Sequence, residues 1–250
     1  MKFLLTADLH YRLDWYEWIL KNAPDYDAIA VAGDLLDMSQ DLLPQVEFLR
    51  GWVAKMRLAG TPLFLCDGNH DFNSSALPWP INPNEHPSPE QAAFGQRARL
   101  AEHWMDALVD EGASIVSGMV KVFPELDNLI VSSLFYEPED DDVNYSLFEK
   151  GAQLRRASPR SPWLVLSHRP PIGLIGREGT GSQFVGEWVD QFQPRIVLSG
   201  HDHQSPFAND TCCERIGLSH AFNPGHRTEA VAYPCHIALD TKTMKYQWNR

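Results

Sequence analysis

Short apolar runs alternate with amphipathic stretches through the first third of the chain. Residues 2–7 predict a strand, and Trp15, Trp18 and Ile19 recur at helical spacing. Residues 28–32 predict a buried strand. From Leu42 to Met56, the apolar positions Val46, Leu49, Val53 and Met56 share one helical face, and residues 62–66 predict a third strand. The order is β-α-β-α-β, the pattern of strands joined by crossover helices. Residues 73–89 break it with five prolines (Pro78, Pro80, Pro83, Pro87, Pro89) and read as a long surface loop. A helix is then expected over 91–111, strands over 115–122 and 129–134, an acidic loop over 137–142 and a helix over 143–156. The second half repeats the opening logic, with strands at 163–167 and 195–199 around a helix at 183–192. Short strands and turns over 212–248 would finish a sheet. No Gly/Ser linker divides the halves, so residues 1–250 are expected to form a single domain carrying the Pro-rich loop as an insertion.

Composition narrows the class. The chain has 250 residues, 44% hydrophobic and 22% charged, which is ordinary for a globular protein and excludes a disordered tail, a fibre or a coiled coil. No run approaches the ~20 apolar residues of a membrane span. The apolar start ends at Asp8 and His10 without a small-residue cleavage site, so it reads as a strand rather than a signal peptide, and a cytoplasmic location is expected. Four cysteines, none in a C-x-x-C pair, predict reduced thiols. The net charge of −12 opposes non-specific binding to nucleic acid and requires that an anionic substrate meet a concentrated positive charge, such as a metal.

Four polar clusters follow predicted strands: Asp8-Leu9-His10, Gly33-Asp34-Leu35-Leu36-Asp37, Gly68-Asn69-His70-Asp71 and Gly200-His201-Asp202-His203. A lone His168 ends the 163–167 strand. Ligands of α/β sheets gather outside the carboxyl ends of strands. Residues i and i+2 of an extended segment point the same way, so Asp8 is expected to meet His10, and His201 to meet His203. Gly33, Gly68 and Gly200 are expected to allow tight turns. Imidazoles and carboxylates without cysteine suit Zn, Fe, Mn or Ni. The set exceeds what one ion needs, so two divalent ions are expected, with Asp34 placed to bridge them ~3.5–4 Å apart. Such a pair leaves the site net positive even after Asp8, Asp34 and a bridging hydroxide are counted, as a phosphate ester requires.

The ordered set D-x-H, G-D-x-x-D, G-N-H-D, H, G-H-x-H over residues 8–203 resembles the calcineurin-like metallophosphoesterases, and Asn223-Pro224-Gly225 resembles the N-P-G turn of many prokaryotic members. The resemblance implies a four-layer α-β-β-α sandwich of two mixed sheets, with a dimetal site at the strand carboxyl ends. It implies that Asp8, His10, Asp34 and His203 hold one metal and that Asp34, Asn69, His168 and His201 hold the other, with Mn favoured. It implies that a metal-bridging hydroxide attacks while His70, oriented by Asp37, protonates the leaving oxygen, and histidine is the usual tunable acid for that task. The text GDLLDMS and GNHD departs from the G-D-x-V-D-R-G and G-N-H-E of the Ser/Thr protein phosphatases. HRPP at 168–171 looks instead like the H-x-P-P of the cyclic-nucleotide phosphodiesterase type, with Arg169 as a candidate substrate contact. The expected activity is hydrolysis of a small nucleotide-like phosphodiester. Phosphomonoesterase, nucleotide pyrophosphatase and DNA nuclease are the alternatives, and a non-enzymatic scaffold is disfavoured because His70 and every metal position are intact. Asp71 and Asp202 are either orienting groups or loop residues. His226, after the N-P-G turn, is a weaker candidate for lining the site, as are Tyr136 and the acidic run beside it.

Overall fold

The structure, a computed structural model, describes residues 1–71, 104–137, 140–229 and 231–250. The Pro-rich loop at 73–89 and the first part of the helix expected over 91–111 lie outside the described residues.

Two mixed sheets face one another. The first has the order β11-β10-β1-β2-β3, with β1 at Lys2–Thr6, β2 at Ala28–Ala32, β3 at Leu63–Cys66, β10 at His236–Asp240 and β11 at Lys245–Asn249. The second has the order β4-β5-β6-β7-β9-β8, with β4 at Met119–Phe123, β5 at Leu129–Ser133, β6 at Trp163–Leu166, β7 at Ile196–Leu198, β8 at Cys213–Ile216 and β9 at Ser219–Phe222. The strands β1, β2 and β3 run parallel, as do β5, β6, β7 and β9. The antiparallel strands lie at the margins.

Both faces of the central strands are covered, which is why they read as continuous apolar runs rather than as alternation. Phe3, Leu5, Ala30 and Phe64 meet Val131, Leu164, Leu166 and Leu198 between the sheets. On the outer face of the first sheet, Leu4, Ile29, Val31 and Leu65 pack under α1 (Leu13–Asn22), α2 (Leu42–Ala59) and α3 (Trp104–Glu111). On the outer face of the second, Trp163, Val165 and Val197 pack under α4 (Asp141–Ala157) and α5 (Gln183–Phe192). The layers are helix, sheet, sheet, helix, as expected. The helix ends carry their sequence signals: Asp41 accepts from the Leu43 N–H, Ser182 from the Val185 N–H, and Gly60 closes α2 in the left-handed region.

Two boundaries differ from the sequence reading. The strand expected over 115–122 is split. Ile115 bridges Phe64 at the edge of the first sheet, whereas β4 begins at Met119 in the second. The switch occurs at Gly118, with φ of 79°, where a Cβ would lie 2.4 Å from the Phe135 ring. Apolar periodicity cannot show which of two sheets a residue joins. The acidic run is also not wholly a loop, since Asp141 and Asp142 form the first turn of α4, where carboxylates are favoured by the helix dipole.

Candidate metal centre

The site lies where the carboxyl ends of β1, β2 and β3 meet those of β6 and β7. The loop after β1 continues alongside the loop after β2: the Asp8 N–H donates to the Gly33 carbonyl (3.1 Å), His10 to Asp34 (2.9 Å) and Tyr11 to Leu35 (3.0 Å). This ladder sets Asp8, His10 and Asp34 side by side. The route differs from the one expected. Asp8, His10, Asp34 and His201 have φ of 55°, 43°, 51° and 65°. The loops therefore coil through the left-handed region, and Asp8 meets His10 across a turn rather than along an extended segment. Only Gly33 of the three expected turn glycines has positive φ. Gly68 and Gly200 serve close approach instead. A Cβ on Gly68 would lie 2.3 Å from Asp34 Oδ1, and one on Gly200 would lie 2.7 Å from Asp8 Oδ2.

The side chains form two adjoining groups that share Asp34. In the first, ligand atoms of Asp8, His10, Asp34 and His203 all lie within 4.8 Å of one another. His10 Nε2 is 3.7 Å from Asp34 Oδ2, and His203 Nε2 is 3.3 Å from Asp8 Oδ1. The two ring nitrogens His10 Nε2 and His203 Nε2 converge to 3.3 Å. In the second group, Asn69 Oδ1 lies 3.1 Å from His168 Nε2 and 2.7 Å from His201 Nδ1, while His168 Nε2 is 3.3 Å from Asp34 Oδ1. Asp34 thus turns one oxygen to each group. His168 Nδ1 donates to the Ala32 carbonyl (2.7 Å), which leaves its Nε2 to face Asp34 and Asn69. His70 stands over the first group. Its ring is edge-on to His10 at 4.4 Å, its Nε2 is 4.0 Å from Asp34 Oδ2, and its backbone N–H donates to Asp34 Oδ1 (2.8 Å).

The electrostatics suit a cation. Asp8 and Asp34 are almost wholly buried. Burial alone would raise their pKa values, but His203 and His168 around Asp8, and His168 beside Asp34, hold both below the usual carboxylate range. Burial pushes His10 and His201 down to about 4, leaving both rings neutral with lone pairs to offer. His168 moves the opposite way: burial opposes its charge, yet Asp34 and Asp8 hold it up to about 10. Asp8 Oδ2 is buried with no hydrogen-bond partner among the described residues. An orphaned carboxylate oxygen and converging imidazole nitrogens fit a divalent ion, which would satisfy them at once.

The sequence model of the calcineurin-like phosphoesterases matches residues 1–205. The chain belongs to the calcineurin-like phosphoesterase family. It is a hydrolase of phosphoester bonds, and the family together with the His/Asp cluster points to a dimetal centre. No curated protein matches the sequence. The fold is similar to that of TT1561 from Thermus thermophilus, with a TM-score of 0.64 at 18% identity over 100% of this chain and 98% of that one. It is also similar to a dimetal phosphatase from Danio rerio, with a TM-score of 0.51 at 13% identity over 96% and 92% of the two chains.

Other residues singled out in this phosphoesterase have clear places. Asp37 does not orient His70. Its carboxylate accepts from the Ser39 N–H and Oγ and from Gln40 Nε2, closing its own turn, and His70 Nδ1 is buried with no partner among the described residues. Arg169 is ion-paired with Asp141 at the start of α4, so a substrate contact would need that pair to open. Asp71 and Asp202 are both orienting groups. Asp71 accepts from the N–H groups of Leu35, Leu36 and Gly68, tying the Asp34 loop to the Asn69 loop. Asp202 accepts from five donors and pins the His201–His203 loop to residues 177–180. Tyr136 sets its ring edge-on to His168 and His201, 5.5 Å from each, so it walls the second group. Sequence reasoning passed over Asp67. It is buried, bonded to Ser117 and to the Tyr136 N–H, and joins the loops after β3 and β5. Its only signal was its position directly before Gly68-Asn69-His70.

Proposed function

We propose that this phosphoesterase hydrolyses small, nucleotide-like phosphodiesters. In this reading Asp8, His10, Asp34 and His203 hold one divalent ion, and Asp34, Asn69, His168 and His201 hold a second, with Mn²⁺ favoured over Fe, Zn or Ni. The observation that carries the reading is Asp34 offering one oxygen to each group of ligands with His70 poised over the first. Bound divalent ions would make a nucleophile from water at neutral pH and draw charge off the phosphoryl oxygens. The chain's own residues do the rest. Asp34 and Asp8 fix the spacing of the two groups. His70, partly exposed above Asp34, holds a proton at Nε2 for the departing ester oxygen, a contribution of ~10²–10⁴-fold. Tyr136 excludes water from the His168–His201 side.

The diester preference is supported by a groove of about 510 Å³ beside His203 and His226, lined also by Gln204, Phe207, Arg227, Thr228 and Glu229, which gives room for a second ester arm. The net charge of −12 disfavours a DNA duplex as substrate. The test is a paired assay. Protein stripped of metal and reloaded with Mn²⁺ is offered bis-p-nitrophenyl phosphate and p-nitrophenyl phosphate. Faster diester turnover that vanishes in Asp34→Asn is expected, and faster monoester turnover would overturn the diester reading.

A further inference from the structure

We propose that His226 is an additional ligand of the ion held by Asp8, His10, Asp34 and His203; this rests on the metal-centre reading above. His226 leaves the Asn223-Pro224-Gly225 turn directly into the site. The turn is locked from beneath: buried Asn223 donates through Nδ2 to the carbonyls of Ile175 (2.9 Å), Gly200 (3.2 Å) and Asp202 (3.0 Å), and its Oδ1 accepts from the Gly225 N–H (2.8 Å). Gly225 has φ of 70°, and a Cβ there would lie 2.8 Å from the Phe207 ring, so only glycine turns the chain this sharply against His203. The His226 N–H then donates to the His203 carbonyl (3.3 Å).

The ring is held as firmly as the backbone. Its Nδ1 lies 2.8 Å from the carbonyl oxygen of Asp8. A carbonyl can only accept, so Nδ1 carries a proton, and in the neutral ring this leaves the lone pair on Nε2. This is the arrangement by which an outer hydrogen bond fixes the tautomer of a metal-bound histidine. The ring centres of His203 and His10 lie 4.6 and 4.9 Å away, and ligand atoms of His10, His203 and His226 all fall within 4.8 Å of one another; Asp8 and Asp34 group with His10 and His203 but not with His226, so joining their ion requires the His226 ring to move toward the carboxylates. Trp15 backs the ring edge-on at 5.4 Å, itself fixed by its Nε1 bond to the Val231 carbonyl (2.9 Å). The alternative role, a contact to substrate, fits this tautomer poorly. Donating to a phosphate oxygen would require a second proton on Nε2, whereas the neutral ring already offers its lone pair to a cation.

The test reads metal as well as turnover. Wild type, His226→Ala and His226→Gln are stripped and reloaded with Co²⁺, and the visible absorption and the release of each ion to a competing chelator are followed. In His226→Ala one of the two sites is expected to bind more weakly by at least the ~10–100-fold that losing a partner behind a ligand costs. Its absorption should intensify as the coordination number falls, while the other site is unmoved. Unchanged affinity and spectrum in both variants would overturn the proposal, most directly if the KM for bis-p-nitrophenyl phosphate rose at the same time. Zinc K-edge absorption of the wild type needs no variant to fold. Five imidazoles shared between two ions support the proposal and four overturn it. Wild type that binds no ion and hydrolyses neither ester would instead sink the metal-centre reading itself.

Discussion

Asp202→Asn tests whether the His201–His203 loop is held by its carboxylate. Asp202 is 1% exposed, and burial opposes its charge, yet Thr180, Ser205 and the backbone hold its pKa far below the usual carboxylate range. Oδ1 accepts from the N–H groups of Gln204 (3.1 Å) and Ser205 (2.9 Å). Oδ2 accepts from the Arg177 N–H (2.9 Å), Thr180 Oγ1 (2.6 Å) and Ser205 Oγ (2.7 Å). Asparagine has the same shape but one acceptor oxygen. With its NH₂ at the Oδ1 position, two backbone N–H groups face a donor. With the NH₂ at the Oδ2 position, the two hydroxyls can rotate to accept and only the Arg177 N–H is stranded. The second orientation wins. It still loses one charge-assisted bond and turns the others into neutral ones, a cost of about 2–4 kcal/mol. For a chain of this size each kcal/mol lowers Tm by ~2–4 °C, so metal-free Asp202→Asn is expected to melt roughly 4–16 °C below wild type by calorimetry. Asp210→Asn breaks an exposed pair with Arg250, worth ~0–1 kcal/mol, and serves as the benchmark, with a shift of at most about 4 °C. Asp202→Asn melting as high as Asp210→Asn would refute the reasoning.

Asp34→Asn is expected to lower the Mn²⁺ content from two ions to at most one, read by elemental analysis, because a single amide oxygen cannot serve both groups. His70→Asn should keep both ions and slow kcat ~10²–10⁴-fold for an alkyl leaving group but far less for nitrophenolate, which departs without a proton; an equal loss on both would remove the acid role. Gly151→Ala inverts the usual sign of a helical Gly→Ala change. It sits in α4, where a Cβ would lie 2.4 Å from Trp163 Cζ2, so overpacking of about 1–3 kcal/mol outweighs the ~1 kcal/mol gain in helix propensity, and Tm should fall. His236 is buried against Trp18, and burial depresses its pKa below 6.5. The unfolded chain therefore takes up a proton as pH falls through ~6.5 that the native state refuses, and stability declines toward pH 5. His236→Gln should flatten that decline in melts from pH 7 to 5.

The layers and most strands were legible because doubly covered strands leave unbroken apolar runs, and each polar cluster stood just past one of them. The candidate ligand set was legible as residue types after strand ends. The way it is assembled was not. Alternation along an extended strand would bring Asp8 to His10, but the chain achieves this through left-handed residues that no side-chain pattern marks, since Asp and His merely tolerate that region. Gly68 and Gly200 were visible as glycines, yet their reason is the nearness of Asp34, His168 and Asp8, a fact of tertiary contact. Asp37 shows the converse. Its place in the motif suggested a partner for His70, but donors on Ser39 and Gln40, two and three residues on, capture its carboxylate first, as short-range donors usually do. β10 beside β1 was equally hidden, because the strand that completes the first sheet comes from the far end of the chain.

The same geometry explains why an acidic protein can host a cationic centre. Asp8, His10, Asp34 and Asn69 leave the first sheet, and His168, His201 and His203 leave the second, so neither sheet alone carries either group of ligands. The sheets are fixed against each other by their shared apolar core, and the loops by buried carboxylates. Asp71 joins the β2 and β3 loops, Asp67 the β3 and β5 loops, and Asp202 the β7 loop to residues 177–180. Among the described residues, these three carboxylates are buried among backbone N–H groups and hydroxyls rather than among lysines or arginines, apart from the long approach of Arg177 to Asp202. Asp202 keeps its negative charge in doing so, whereas burial pushes Asp67 up to about 7 and Asp71 up to about 8. Asp8 and Asp34, by contrast, are surrounded by imidazoles, which can exchange a proton for a metal ion, and that difference in neighbours separates the carboxylates that build the site from those that can bind in it.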